Sequence, residues 1–129
     1  MLANSKAYSG FAVDDVARAK EFYTETLDLR VSDLDAENGL LALHVGGERP
    51  ILVYLKADFT PATYTLLNFP VDDIDKTVDG LAARGVSFEK YEGFGQDEKG
   101  IARGQGPSIA WFTDPAGNIM SVIEETHAS

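Results

Sequence analysis

Side chains able to do chemistry are few in this chain, and their spacing says more than their number. Two histidines, His44 and His127, are the only imidazoles, and there is no cysteine. Without cysteine the chain has no disulfides, no thiolate metal sites and no cysteine nucleophile. Two adjacent aspartate pairs, Asp14-Asp15 and Asp72-Asp73, lie 58 residues apart. Paired carboxylates suggest acid–base work. Each pair, however, stands where a strand-like run gives way to a helical pattern, and there a carboxylate accepts from the orphan amides of a helix start. Capping is the simpler reading. The stretch from Gln96 to Gly104 sets Asp97, Glu98, Lys99 and Arg103 beside glycines. It suits a lid whose Arg103 pairs with an anionic substrate group, against the plainer reading of a solvated charged loop. Its glycines match neither the dinucleotide fingerprint nor the phosphate loop, a GxSxG elbow is absent, and two histidines so placed define no serine-histidine-acid triad.

The elements that must position these residues come in two rounds. Phe11-Ala12-Val13-Asp14-Asp15-Val16 is echoed by Phe69-Pro70-Val71-Asp72-Asp73-Ile74. The first round reads as a strand over about 7–13, then a helix with its apolar stripe at Val16, Ala19, Phe22, Tyr23 and Leu27. Strands follow over about 29–34, 40–45 and 51–56. Turn residues separate them at 35–39 and at Gly46-Gly47-Glu48-Arg49-Pro50. Residues 57–63 read as a linker.

The second round repeats the order: a strand over 65–71, then a helix with Ile74, Val78, Leu81 and Ala82 inward and Gly85 at its C-terminal end. Strands over 86–91, 108–113 and 118–123 follow. The last two flank the turn Asp114-Pro115-Ala116-Gly117, and the glycine-rich stretch 92–106 is long enough to be functional. The expected organisation is one domain: module one over about 7–56, the linker, and module two over about 64–125. The fold class is α+β, built from paired βαβββ modules.

Composition narrows the partners. A chain of 129 residues with 44% hydrophobic and 25% charged residues can bury a real core. A formal net charge of −10 argues against nucleic acid and anionic membrane surfaces. No apolar run reaches the roughly 18 residues of a membrane span, and the start lacks a signal-peptide pattern. A soluble, cytoplasmic protein is the default expectation.

The run Trp111-Phe112-Thr113-Asp114-Pro115-Ala116-Gly117-Asn118, with Val13-x-Asp15 before Phe22-Tyr23 and Val71-x-Asp73 in the second round, resembles the vicinal oxygen chelate superfamily. That group includes glyoxalase I, extradiol dioxygenases, and fosfomycin and bleomycin resistance proteins. The resemblance spans about Tyr8 to Glu124. It implies a cupped mixed sheet with helices outside, often completed by a second subunit, so a homodimer is expected. It also implies metal positions at the start of each module's first strand and within each module's last strand. By the family spacing these fall at Tyr8, Leu66 and Ser121, with the first module's partner at Val53 or Tyr54. None is a normal ligand for a divalent ion, so no metal and no other cofactor is expected.

Strand parity then puts Phe11, Val13, Phe69 and Val71 under the helices. Tyr8, Gly10, Ala12, Leu66, Asn68, Pro70, Ile119, Ser121 and Ile123 fall on the concave side, joined by Trp111. The candidate ligand-binding residues are Tyr8, His44, Asn68, Arg103, Trp111 and Ser121. Each has a plainer alternative: a sheet-edge tyrosine, a satisfied structural histidine, backbone-bonded Asn68, core-packed Trp111. The expected function is a metal-free binder of a small organic molecule of the bleomycin-resistance type. The alternative is an enzyme: a lyase or isomerase using Tyr8, His44 or Glu98, or a divergent metal-dependent dioxygenase.

Overall fold

The computed structural model describes residues 1–47, 49–104 and 106–125. His127, Glu48 of the first glycine turn and Gln105 of the long loop lie outside them. The chain divides into two compact units, Met1–Pro61 and Ala62–Ser129.

The first unit runs β1 (Gly10–Val13), α1 (Val16–Glu21) continued by a π-helical turn (Phe22–Thr26), β2 (Arg30–Asp35), β3 (Leu40–His44) and β4 (Ile51–Leu55). The strand order is β1-β4-β3-β2. β1 and β4 pair parallel, and the other two pairings are antiparallel. Asp15, the second of its pair, is the α1 N-cap and accepts from Arg18 N at 3.0 Å. Apolar spacing carries α1 across one face of the sheet, where Ala19 and Tyr23 are buried with Phe11, Val13, Leu41, Leu43 and Val53. The Phe11 and Tyr23 rings lie 6.1 Å apart.

The second unit repeats the plan with β5 (Thr65–Val71), α2 (Ile74–Ala83), β6 (Phe88–Glu89), β7 (Ile109–Thr113) and β8 (Ile119–Glu124), in the order β5-β8-β7-β6. Both units are therefore βαβββ with a four-stranded mixed sheet. The paired-module α+β architecture is as the echoed phrase implied. Asp73 caps α2 through Lys76 N, and Glu124 at the end of β8 accepts from Ile74 N at 3.0 Å. Gly85 takes φ +94° after the helix, a conformation that β-carbon-bearing residues resist. Ile74 and Val78 are buried, whereas Ala82, expected inward, is exposed. A ten-residue helix on a sheet presents only a narrow stripe, and Ala82 falls outside it.

Two details of register revise the expected positions. Thr65 pairs with Ile119 and Leu67 with Met120, so Leu66 is the extra residue of a β-bulge. Counting by twos does not carry across this irregularity, and it is Thr65, opposite Ile119, that lines the sheet face of Ile119 and Trp111. In the first unit Gly10 pairs with Leu52, as Asn68 pairs with Ser121 in the second. The counterpart of Ser121 is thus Leu52, one residue before the pair Val53 and Tyr54. Val53 itself is fully buried in the α1 core.

Candidate functional site

A row of side chains crosses the second sheet. Asn68 opposes Ser121, Ser121 opposes Trp111, and Trp111 opposes Glu89. Directly opposed residues on neighbouring strands share a face, so the row lies on one side of the sheet. Phe112, Met120 and Val122 turn the other way into the α2 core and are buried. Trp111 is only half-buried. Neighbours in sequence are therefore divided between two jobs, with Phe112 in the core and Trp111 on the open face.

Ser121 is fully buried, and its Oγ donates to Asn68 Oδ1 at 2.5 Å. The Asn68 side chain is thus met by another side chain. The pair is neutral and bonded to itself.

Beside Trp111 this face opens into a hollow of about 330 Å³. Four aromatic side chains line it: Tyr64, Tyr91, Phe94 and Trp111, with Thr63, Thr65 and Ile119 between them. Trp111 meets Phe94 at 5.1 Å and Tyr91 at 5.5 Å between ring centroids, and Tyr91 meets Phe94 at 6.0 Å. All three contacts are edge-to-face, the arrangement that the aromatic quadrupole favours. Burial, and after it the charge of Glu89, pushes the Tyr91 phenol above its ordinary pKa. The phenol stays protonated at neutral pH and can donate a hydrogen bond. Tyr64 and Phe94 are 69% and 45% exposed, so the hollow has large apolar surface at its mouth.

Phe94 reaches the hollow because its loop is built for it. Gly93 and Gly95, on either side, take φ of +87° and +60°. Past them the loop is tied down. The Gln96 amide donates to the carbonyls of Glu89 and Gly100 and accepts from Tyr91 N. The Asp97 carboxylate accepts from Lys99 N and Ile101 N, both at 2.9 Å, and from Arg103 Nε at 3.3 Å. Ile101 is fully buried, and Ala102 bridges to Ile109. Arg103 also reaches Asp75 of α2 at 2.8 Å, and Lys99 reaches Asp79 at 3.0 Å. Arg103, expected as a partner for substrate, is here engaged by two aspartates and is not part of the hollow's lining.

Burial alone would raise the Asp97 pKa, but the Ile101 and Lys99 amides and the Arg103 guanidinium outweigh it and hold the carboxyl below its usual value. A carboxyl depressed in the folded state contributes stability above its unfolded pKa of about 3.9, and loses it as pH falls through the lower folded value. The loop is therefore expected to stay fastened from neutrality down to about pH 4 and to loosen below it. Lys99 and Arg103 keep their charge throughout. Amide exchange of Ile101 and Lys99, corrected for intrinsic rates, should accelerate in that range before the α2 amides do. Simultaneous release of both would show that Asp97 holds nothing locally.

The remaining predicted residues belong to the first unit. His44 Nε2 lies 2.7 Å from Ser32 Oγ, on the sheet face opposite α1. Tyr8 precedes β1, is 53% exposed and lies under the Arg49 guanidinium, 4.9 Å from the ring centroid. At the positions that the resemblance implies for metal, the side chains are a tyrosine beneath a cation, Leu66 at the register irregularity, a serine bonded to an amide, and Leu52 or its neighbours. These donors do not suit a divalent ion. Among the described residues no three His, Asp or Glu side chains converge as a metal site.

Of the residues expected on the concave face, Trp111 and Ile119 line the hollow. Asn68 and Ser121 share the face of Trp111 but are not in the lining, and Tyr64, Tyr91, Phe94 and the threonines were not expected there. Thr63 falls in the stretch that reads as a linker, and Phe94 in the glycine-rich stretch 92–106. Phe94 between two glycines was the available signal, since a lone aromatic in such a stretch needs something to pack on.

The fold is shared with solved structures of known families. One is a member of the glyoxalase/bleomycin resistance protein/dioxygenase superfamily from Sphaerobacter thermophilus: 24% identity, 92% of this chain and 97% of that one, TM-score 0.69. Another is an antibiotic binding protein from Streptomyces sp. CB03234, at 23% identity over 95% and 98% of the chains, TM-score 0.68. A third is a fosfomycin resistance protein from Listeria monocytogenes, at 14% identity over 98% and 94%, TM-score 0.67. A comparison with curated proteins gave no match. No helix among the described residues is long and apolar enough to cross a membrane. The family model for the Glyoxalase/Bleomycin resistance protein/Dioxygenase superfamily matches residues 7–122, and the chain belongs to that superfamily.

Proposed function

We propose that the protein is a metal-free binder of a small organic molecule, and that the aromatic hollow of its second unit is the ligand site. The observation that carries this reading is the cluster of Tyr64, Tyr91, Phe94 and Trp111 around a space of about 330 Å³. Small-molecule sites of this size are apolar, aromatic and set with a few hydroxyls, as the phenols and threonines are here. Fold alone does not assign a function, because this architecture hosts both binders and enzymes. An antibiotic binding protein of the same fold is consistent with the binding role. The reading includes a homodimer, following the family expectation. It assigns no metal, because Ser121 is spent on Asn68 and Leu66 and Leu52 have no donor atoms.

The test uses the only tryptophan as reporter. Protein purified under native conditions is screened by native mass spectrometry for a co-purified molecule, and then titrated with small aromatic compounds while Trp111 emission is followed. The expected result is saturable quenching or a spectral shift at one site per chain. No change with any compound up to millimolar concentration overturns the assignment of the hollow. Zinc and nickel titrations address the metal separately, and tight stoichiometric binding would overturn the metal-free part. Light scattering that finds a monomer at micromolar concentration would remove the dimer.

A further inference from the structure

We propose that the hollow selects an organic cation, a tertiary or quaternary ammonium whose charge rests against the Trp111, Tyr91 and Phe94 rings with Glu89 as its counter-ion. This rests on the hollow being the ligand site.

Ring geometry is the first ground. A flat neutral aromatic is held best in a slot between near-parallel rings. Here the ring planes are inclined to one another by 61–74°. Inclined rings make a rounded recess, which suits a compact tetrahedral head, and the negative faces of aromatic rings attract such a charge.

Charge is the second ground. The lining holds no cationic side chain, only rings, hydroxyl-bearing residues and Ile119. An anionic ligand would find hydroxyl donors there but no cationic partner. Glu89 stands directly across the ladder from Trp111, on the same face. Among the described residues no cation pairs with its carboxylate, whereas the nearby loop cations Lys99 and Arg103 are taken by Asp75, Asp79 and Asp97. The field of Glu89 reaches the rings, since its charge helps raise the Tyr91 phenol. An unpaired carboxylate beside an aromatic recess repels anions and attracts cations, and the net charge of −10 acts in the same sense at longer range.

The test compares phenyltrimethylammonium with tert-butylbenzene, two molecules of nearly one shape that differ in charge. Transfer from water favours the neutral compound, so a preference for the cation cannot come from hydrophobicity. Titration calorimetry, with Trp111 emission as a second readout, should show the cation binding about tenfold tighter or more. Glu89→Gln should weaken the cation roughly fivefold and leave the neutral compound unchanged. Equal or better binding of tert-butylbenzene by the native protein overturns the cation assignment and leaves the hollow as a binding site. Binding of neither overturns both. A cation preference untouched by Glu89→Gln, in a variant with native circular dichroism and melting temperature, overturns the counter-ion role.

Discussion

Replacing Phe112 with alanine is expected to cost about 3–5 kcal/mol of folding stability, the usual range for emptying a buried aromatic site. Phe112 is fully buried, stacks on Phe69 at 6.5 Å and meets Phe88 edge-on at 5.9 Å. It is flanked in the core by Met120, which is directly opposite across the ladder. A sheet held on both sides of β7 cannot close over the missing ring, so most of the cavity should persist. Domains of this size have about 5–15 kcal/mol of net stability, and the variant should lose roughly a fifth of that or more. Urea denaturation measures it, read as a fall in midpoint at unchanged slope. Phe112→Leu, which keeps most of the volume, should cost well under half as much. A loss below about 1 kcal/mol for the alanine variant would mean the site is not core, and the parity that separates Phe112 from Trp111 would be wrong.

The echoed phrase made the fold legible because both copies combine a period of two with a helix-capping aspartate. Those are local signals, and they survive in the structure as Phe11 and Val13 beneath α1, with Asp15 and Asp73 at the two helix starts. The face of Trp111 was legible for the same reason, from alternation along a strand flanked by clear turns. The register around Leu66 was not legible, because a bulge adds one residue without changing composition and counting by twos fails across it. The ion pairs of Arg103 were illegible for a different reason. Its partners, Asp75 and Asp97, come from α2 and from within the loop, and no periodicity reports which charges meet across a turn. The aromatic hollow was the least legible part. Tyr64, Tyr91 and Phe94 come from outside the regular strands β5–β8; Tyr91 and Phe94 are brought together by packing on Trp111, and Tyr64 borders the same hollow.

Trp111→Ala should then do to binding what Phe112→Ala does to folding. Trp111 touches both Tyr91 and Phe94, so its removal takes one wall of the recess and unseats the other two rings. Central aromatic anchors of this kind are worth about 2 kcal/mol or more to a bound partner. The expected loss is therefore roughly thirtyfold or more in affinity for phenyltrimethylammonium, measured by calorimetry because the variant has no tryptophan to report. Stability should fall less than in Phe112→Ala, since the indole is half-buried and its face of the sheet is open. Trp111→Phe keeps an aromatic face at the site and should recover part of the affinity. If Trp111→Ala binds the probe as well as the native protein while losing several kcal/mol of stability, Trp111 is a core residue and the hollow is a packing defect. If it loses affinity at near-native stability, adjacent residues of one strand have been shown to carry separate burdens. In that outcome the inward ring serves the core and the outward ring serves the ligand.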